Sequence, residues 1–199
     1  MKVVLASGNP GKLREIGALL APLAIEVVPQ SQLGISEAEE PHDSFLENAL
    51  AKARHASRAA RLPALADDSG LSVDALGGAP GVHSAYYAGR EGGREERDRR
   101  NNDKLLADLS DSRSAHYVCV MVLVRNPEDR NPLVAEGRWH GEIARAPRGT
   151  NGFGYDPLFL VKEIGKTAAE LDPVHKNRIS HRGIALQKLV ALLNESGRR

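Results

Sequence analysis

The chain opens with a short, β-branched apolar run, "KVVLA", and after a few small and polar residues continues as "KLREIGALL". In the second segment Leu13, Ile16, Leu19 and Leu20 recur at a helical period, so the pattern predicts a buried strand, a tight loop and a helix. "IEVVPQ" reads as a second strand closed by Pro29, and "SQLGISEAEEPHD" as a loop, because no period persists through it. Ser44 and Glu47 stand at capping-box spacing. Phe45, Ala49, Ala53, Ala56 and Ala60 then mark one side of a long helix ending near Arg61.

Further along, "LPALADDSGLSVDAL" predicts a strand, a sharp acidic turn and another strand, while "GGAPGVHSAYYAGREGG" carries too many glycines for regular structure. "REERDRRNNDKLLADL" predicts a charged helix with a thin apolar edge at Leu105, Leu106 and Leu109; it reads as a solvated face and is assigned no chemistry. "AHYVCVMVLV" and "LVAEGRWHGEIA", separated by the turn-rich "RNPEDRNP", predict an antiparallel pair in which Trp139 packs. "RAPRGTNGFGYDPLF" is a glycine-punctuated loop running into a short strand, and "ISHRGIALQKLVALL" belongs to a final helical region. Strands that alternate with helices in the first half and pair locally in the second argue for an α/β fold with a mixed sheet.

Composition narrows the class. A length of 199 residues suits one domain spanning 1–199, and 41% hydrophobic with 27% charged residues marks a soluble globular protein. Lys plus Arg, 27, nearly cancels Asp plus Glu, 26, so no whole-protein field draws in nucleic acid, and any polyanion must be met locally. The single cysteine, Cys119, sits in an apolar run and reads as a buried small hydrophobe. "VVLA" is far too short for a signal sequence and no later stretch approaches a membrane span, which points to a cytoplasmic protein without a membrane partner.

Several segments could carry chemistry. "SGNPGK" fails the Walker pattern, since Ala6 stands where a glycine is required and Leu13 replaces Ser or Thr. It still suits an anion, because its glycines admit close approach, a helix N-terminus would offer unpaired N–H groups, and Lys12 adds charge; an ordinary strand–helix turn has the same appearance. In "ALADDSG", successive side chains of a strand face opposite sides. Asp67 and Asp68 therefore cannot share a site unless the chain has turned, and one of them is structural. A strand-end carboxylate suits Mg²⁺, which takes few protein carboxylates and shares its shell with substrate phosphates, but an Asx-turn closing a hairpin would look alike.

The acidic run Glu37 to Glu40 could supply a second carboxylate or be a solvated loop, and Lys52 lies two turns into the helix begun at Ser44. In "GTNGFGYDP", Phe153 could stack on a base while Asp156 orients a polar edge or the loop itself. "ISHRG" places His181 and Arg182 at a helix start as candidate donors, or as a cap. H-E-x-x-H spacing is absent, which argues against a catalytic zinc.

Taken in order, "SGNPGK", "SFLENALAKA", "LADDSGLSVDALGGAPGVHSAYYAG", "GTNGFGYDPLF" and "KTAAEL…ISHRG" resemble the inosine/xanthosine triphosphate pyrophosphatase family, from Val3 to about Leu193. The resemblance implies an elongated mixed β-sheet flanked by helices, two lobes with a central cleft, and a homodimer. It implies hydrolysis of non-standard purine nucleoside triphosphates (ITP, dITP, XTP) to the monophosphate and pyrophosphate with Mg²⁺. By resemblance the triphosphate loop falls on Ser7, Gly8, Asn9, Pro10, Gly11 and Lys12, and the catalytic carboxylate and metal ligand on Asp68, with Ser69 beside it contacting substrate. The second metal carboxylate falls on Glu39, Glu40 is its active-site neighbour, and Lys52 faces the phosphates. The base-binding positions fall on Phe153, Gly154, Tyr155 and Asp156, with Lys176, His181 and Arg182 around the purine. Pro41-His42-Asp43 departs from the family's Thr-Gly type of turn. A pyrophosphatase with a different base preference, or a nucleotide-binding regulator that does not hydrolyse, are the rival readings.

Overall fold

The computed structural model describes residues 2–23 and 25–196. Strand β1 (Lys2–Leu5) leads through the small-residue loop into helix α1 (Pro10–Leu20). The helix starts two residues before the predicted Lys12, because Asn9 caps it: its Oδ1 accepts the N–H of Gly11 at 2.9 Å and of Lys12 at 3.2 Å, and Pro10 suits the first helical position. Strand β2 (Glu26–Pro29) follows, then helix α2 (Phe45–Ala60), where the Ser44 hydroxyl accepts the Glu47 N–H and Arg61 ends the helix in the left-handed region, φ 54°. Ala49, Ala53 and Ala56 are fully buried along α2, as the small-residue period requires.

Strand β3 (Ala64–Val73) corrects the sequence reading: no turn interrupts "ADDSG", and the chain stays extended through both aspartates. Their charges are met in place by cations on the two sides of the strand, so the segment has no need to turn out to water. Helix α3 (Arg94–Asp108) and strands β4 (Ser114–Val124) and β5 (Leu133–Ile143) fall where the pattern placed them. Strand β6 (Phe159–Val161), the two-residue β7 (Lys166–Thr167), helix α4 (Pro173–Ile179) and helix α5 (His181–Ser196) complete the chain. The strands form one mixed sheet ordered β2-β1-β3-β4-β5-β6-β7; β1 pairs in parallel with β2 and β3, whereas β6 pairs antiparallel with both β5 and β7. The fold is thus α/β with a mixed sheet flanked by helices.

The chain divides into two compact units, one of residues 1–68, 119–137 and 181–199 and one of residues 69–118 and 138–180. The core of the first gathers Val3, Leu5, Ile16, Leu65, Met121 and Leu189 from strands and two helices. Cys119 is buried in it, as its apolar neighbours predicted. The second is centred on Leu71, Leu105, Tyr117, Trp139 and Phe159, with the Phe159 ring centroid 4.6 Å from Tyr117 and 4.9 Å from Trp139; Trp139 is a packing residue. Among the described residues no helix is long and apolar enough to cross a membrane.

One close approach in the first unit fixes where α5 begins. A Cβ built on Gly137 of β5 would lie 2.1 Å from the His181 carbonyl oxygen and 2.6 Å from the Ala185 nitrogen, both backbone atoms that cannot move independently. Gly137→Ala is expected to destabilise the fold by about 1–3 kcal/mol, as overpacking does. Thermal denaturation would show this as a Tm lowered by roughly 3–10 °C.

Candidate active site

Strand alternation sends the two adjacent aspartates of β3 to opposite sides, and each meets its own cations within the first unit. Asp67, fully buried, accepts an ion pair from Lys12 Nζ at 3.0 Å and from Arg182 Nη2 at 3.5 Å. Arg182 is itself buried and bridges to Glu15 of α1 through Nη1. Asp68 Oδ1 lies 2.9 Å from Lys52 Nζ, and its Oδ2 is 3.4 Å from the Asn48 amide, one turn earlier on α2. Lys52 also donates to Glu40 at 2.8 Å, so one ammonium joins the acidic loop to the strand.

The neighbours differ in their affinity for protons. Desolvation pushes the Asp67 carboxyl up, but Lys12, Arg182 and Lys52 together outweigh it and hold it well below the usual carboxylate range. For Asp68 desolvation wins over the opposing pull of Lys52 and Lys12, and its pKa is raised. Burial alone would depress the Lys52 ammonium, yet Asp68, Glu40 and Asp67 reverse the sign and hold it charged. Asp67 is therefore a fixed anion that anchors Lys12 and Arg182, and Asp68 is the carboxylate suited to take up a proton.

The Ser7–Lys12 loop departs in one respect from the sequence reading. The first-turn N–H groups are not unpaired: Asn9 Oδ1 takes those of Gly11 and Lys12, and the Leu13 N–H donates to the Asn9 carbonyl. Ser7 Oγ accepts the Asn9 N–H at 3.2 Å, completing a loop that is locked before any ligand arrives. The loop thus stands at the positive end of α1, with the Lys12 ammonium paired to Asp67. A Cβ at Gly8 would fall 1.8 Å from Glu37 Oε1, so an anionic oxygen of the acidic loop lies against this glycine.

In the second unit, the predicted base loop is built around Asp156. Its carboxylate accepts the Phe153 N–H at 2.9 Å, the Lys176 ammonium at 2.5 Å and the Tyr117 hydroxyl at 3.4 Å. Asp156 thus shapes the loop, one of the two roles its position allowed. Tyr155 is buried, donating its hydroxyl to the Ser84 carbonyl at 2.8 Å, while the half-buried Phe153 ring has Lys176 Nζ 5.3 Å and Arg94 Cζ 5.5 Å from its centroid. Ser69 continues β3 directly after Asp68 and belongs to this unit, as do Gly154 and Lys176; His181 and Arg182 belong to the first, at the start of α5 as predicted.

Sequence reasoning missed Asn48, Glu15 and the anchoring role of Asp67. Asn48 was detectable, since it stands four residues before Lys52 on the same helical face as the buried alanines. Glu15 had no local signal, because its partner Arg182 is 167 residues away.

Donor chemistry decides what metal these residues could hold. Among the described residues no cluster of three or more His, Cys, Asp or Glu forms a complete metal cage. Mg²⁺ needs none, being bound by one or two carboxylates and completed by phosphate oxygens and water. Asp68 and Glu40, joined through Lys52, and the exposed Glu39 next to Glu40 are oxygen donors of the class such a cation takes.

Comparison with known proteins identifies the family. A family model described as the Ham1 family matches residues 3–192. The chain is 61% identical over 196 residues to a protein of Burkholderia pseudomallei named dITP/XTP pyrophosphatase, covering 98% of this chain and 94% of that one. A solved HAM1 protein from Coxiella burnetii superposes with a TM-score of 0.87 at 50% identity, covering 98% of this chain and 99% of its own. The Ham1 protein of Staphylococcus aureus gives 0.84 at 37% identity, over 98% of this chain and 100% of its own. With a match that runs through the paired aspartates of β3, the capped loop before α1 and the Asp156-centred loop alike, this chain belongs to the Ham1 family.

Proposed function

We propose that residues 1–199 act as one catalytic domain that hydrolyses ITP, dITP and XTP to the monophosphate and pyrophosphate, clearing non-standard purines from the nucleotide pool. The observation that carries this reading is the split of Asp67 and Asp68 between two sets of cations. Lys12 as well as Lys52 acts electrostatically on Asp68, which supports reading these two ammonium groups as the phosphate partners beside a carboxylate of raised proton affinity. The name of the Burkholderia pseudomallei relative, dITP/XTP pyrophosphatase, supports the reaction class.

In the reaction one water is added across the α–β phosphoanhydride. Asp68 orients that water and takes its proton, while Lys12 and Lys52 meet the charge that grows on the phosphate oxygens. Ser7 to Lys12 hold the triphosphate tail against the positive end of α1, Ser69 contacts substrate beside Asp68, and Glu40 is the active-site neighbour of Glu39. Asp68 with Glu39 or Glu40 would hold Mg²⁺, which would supply Lewis-acid neutralisation of the phosphates when bound. Phe153 stacks on the purine, with Gly154, Tyr155, Asp156 and Lys176 forming the surrounding loop. His181 donates to the 6-oxo edge, and Arg182, already engaged by Glu15 and Asp67, braces the helix start that carries it. The enzyme works as a cytoplasmic homodimer.

Three measurements test this. A panel of triphosphates with Mg²⁺, assayed for pyrophosphate and monophosphate, should show ITP, dITP and XTP turned over with kcat/KM at least roughly tenfold above that of ATP, whose 6-amino group leaves a donor unpaired. Equal turnover of ATP and ITP would overturn the base assignment. Asp68→Asn should lower kcat by about 10²–10⁴-fold, the usual worth of a positioned base, with Tm little changed. Chelation should abolish turnover and Mg²⁺ restore it; comparing Glu39→Gln with Glu40→Gln, the ligand is the one whose loss raises the Mg²⁺ concentration needed for half-maximal rate.

A further inference from the structure

Helix α3 reads in sequence as a solvated charged helix, yet one stripe of it grips the loop that carries Phe153. Arg94, Asp98 and Asn102 are spaced four residues apart and so share a face. Asp98 Oδ2 accepts the Gly154 N–H at 2.9 Å, Asn102 Nδ2 donates to the Gly154 carbonyl at 2.9 Å, and the Arg94 guanidinium stands 5.5 Å from the Phe153 ring centroid. Both polar backbone groups of Gly154 are thereby satisfied by α3. Gly154 has φ +61°, a conformation other residues rarely adopt, so the helix holds the chain at a residue free to make that turn.

The grip has a firm base. From a neighbouring stripe Asn101 accepts the Ala88 N–H at 2.8 Å and donates to the Ser84 and Ala85 carbonyls at 3.2 and 3.3 Å, and Leu105 is fully buried in the second core. The same Ser84 carbonyl accepts the Tyr155 hydroxyl. The backbone N–H groups of Phe153 and Gly154 end on two different carboxylates, Asp156 and Asp98, which are charge-assisted bonds. A stacking ring whose backbone is held on both sides loses little freedom when a base arrives.

We propose that Arg94, Asp98 and Asn102 are positioning residues for base recognition, presetting Phe153 through Gly154; this rests on the reading of Phe153 as the base-stacking residue. The arrangement acts on binding of the base and leaves phosphate chemistry alone, so it separates KM from kcat.

The test is steady-state kinetics with ITP and ATP on Asp98→Ala, Asp98→Asn, Asn102→Ala, Phe153→Ala and the double variant Asp98→Ala/Phe153→Ala, with Tm measured for each. Asp98→Ala should raise KM for ITP about tenfold, the worth of one hydrogen bond to a charged group, with kcat within about twofold. Asp98→Asn should recover most of that loss, because its amide oxygen still accepts the Gly154 N–H. The double variant should be no worse than Phe153→Ala alone, the signature of two residues acting through one contact. If Asp98→Ala does not fold, Asn102→Ala, which removes the bond to the Gly154 carbonyl, carries the same expectation at about threefold. A raised KM in Phe153→Ala beside an unchanged KM in Asp98→Ala, or additive effects in the double variant, would overturn the role of α3 alone. An unchanged KM in Phe153→Ala would overturn the base-stacking reading and this proposal with it.

Discussion

The first unit depends on the charge of Asp67. A carboxylate buried in the middle of a sheet, isolated from water, costs several kcal/mol unless cations meet it. Here two do, one from each of two helices: Lys12 near the start of α1 and Arg182 at the start of α5. Glu15 then balances the second charge of this cluster by taking Arg182 on its other side. One electrostatic requirement thus ties the loop before α1, the middle of β3 and the start of α5 to a common point.

Once Asp67 is committed to that role, its neighbour is free for another. The pleat turns Asp68 toward α2, where Lys52 and Asn48 meet it without fully offsetting its burial. Two chemically identical side chains, one residue apart, are thereby driven in opposite directions of proton affinity. Divergence of this kind separates an anchor from a reactive group at many catalytic centres. Lys52 is the hinge between the two sets: it feels both aspartates and carries the acidic loop through Glu40.

What the sequence made legible were the features that local spacing encodes. The cap and alanine period of α2 and the apolar run of β4 follow from spacing within a few residues, whereas Trp139, legible as a packing residue, finds its partner in the distant Phe159, and α5 begins where Gly137 of β5 admits its backbone. The alternation rule also foresaw that the aspartates diverge. "ADDSG" has the composition of an acidic turn yet stays extended, because the cations that compensate it lie at residues 12, 52 and 182, beyond the reach of local spacing. The same limit hid the function of α3, whose Asp98 and Asn102 find Gly154 56 and 52 residues away. Arg182 showed as a donor of the right chemistry, but nothing near it in sequence revealed the two carboxylates it serves.

The distance between Asp67 and Arg182 also bears on how the molecule is made. They are 115 residues apart, so during translation β3 leaves the ribosome long before its second countercharge has been synthesised. Until then Asp67 has Lys12 as its countercharge, and Glu15 still lacks the guanidinium it meets in the finished fold. Arrival of α5 supplies that cation, so this late helix completes the charge balance of the cluster.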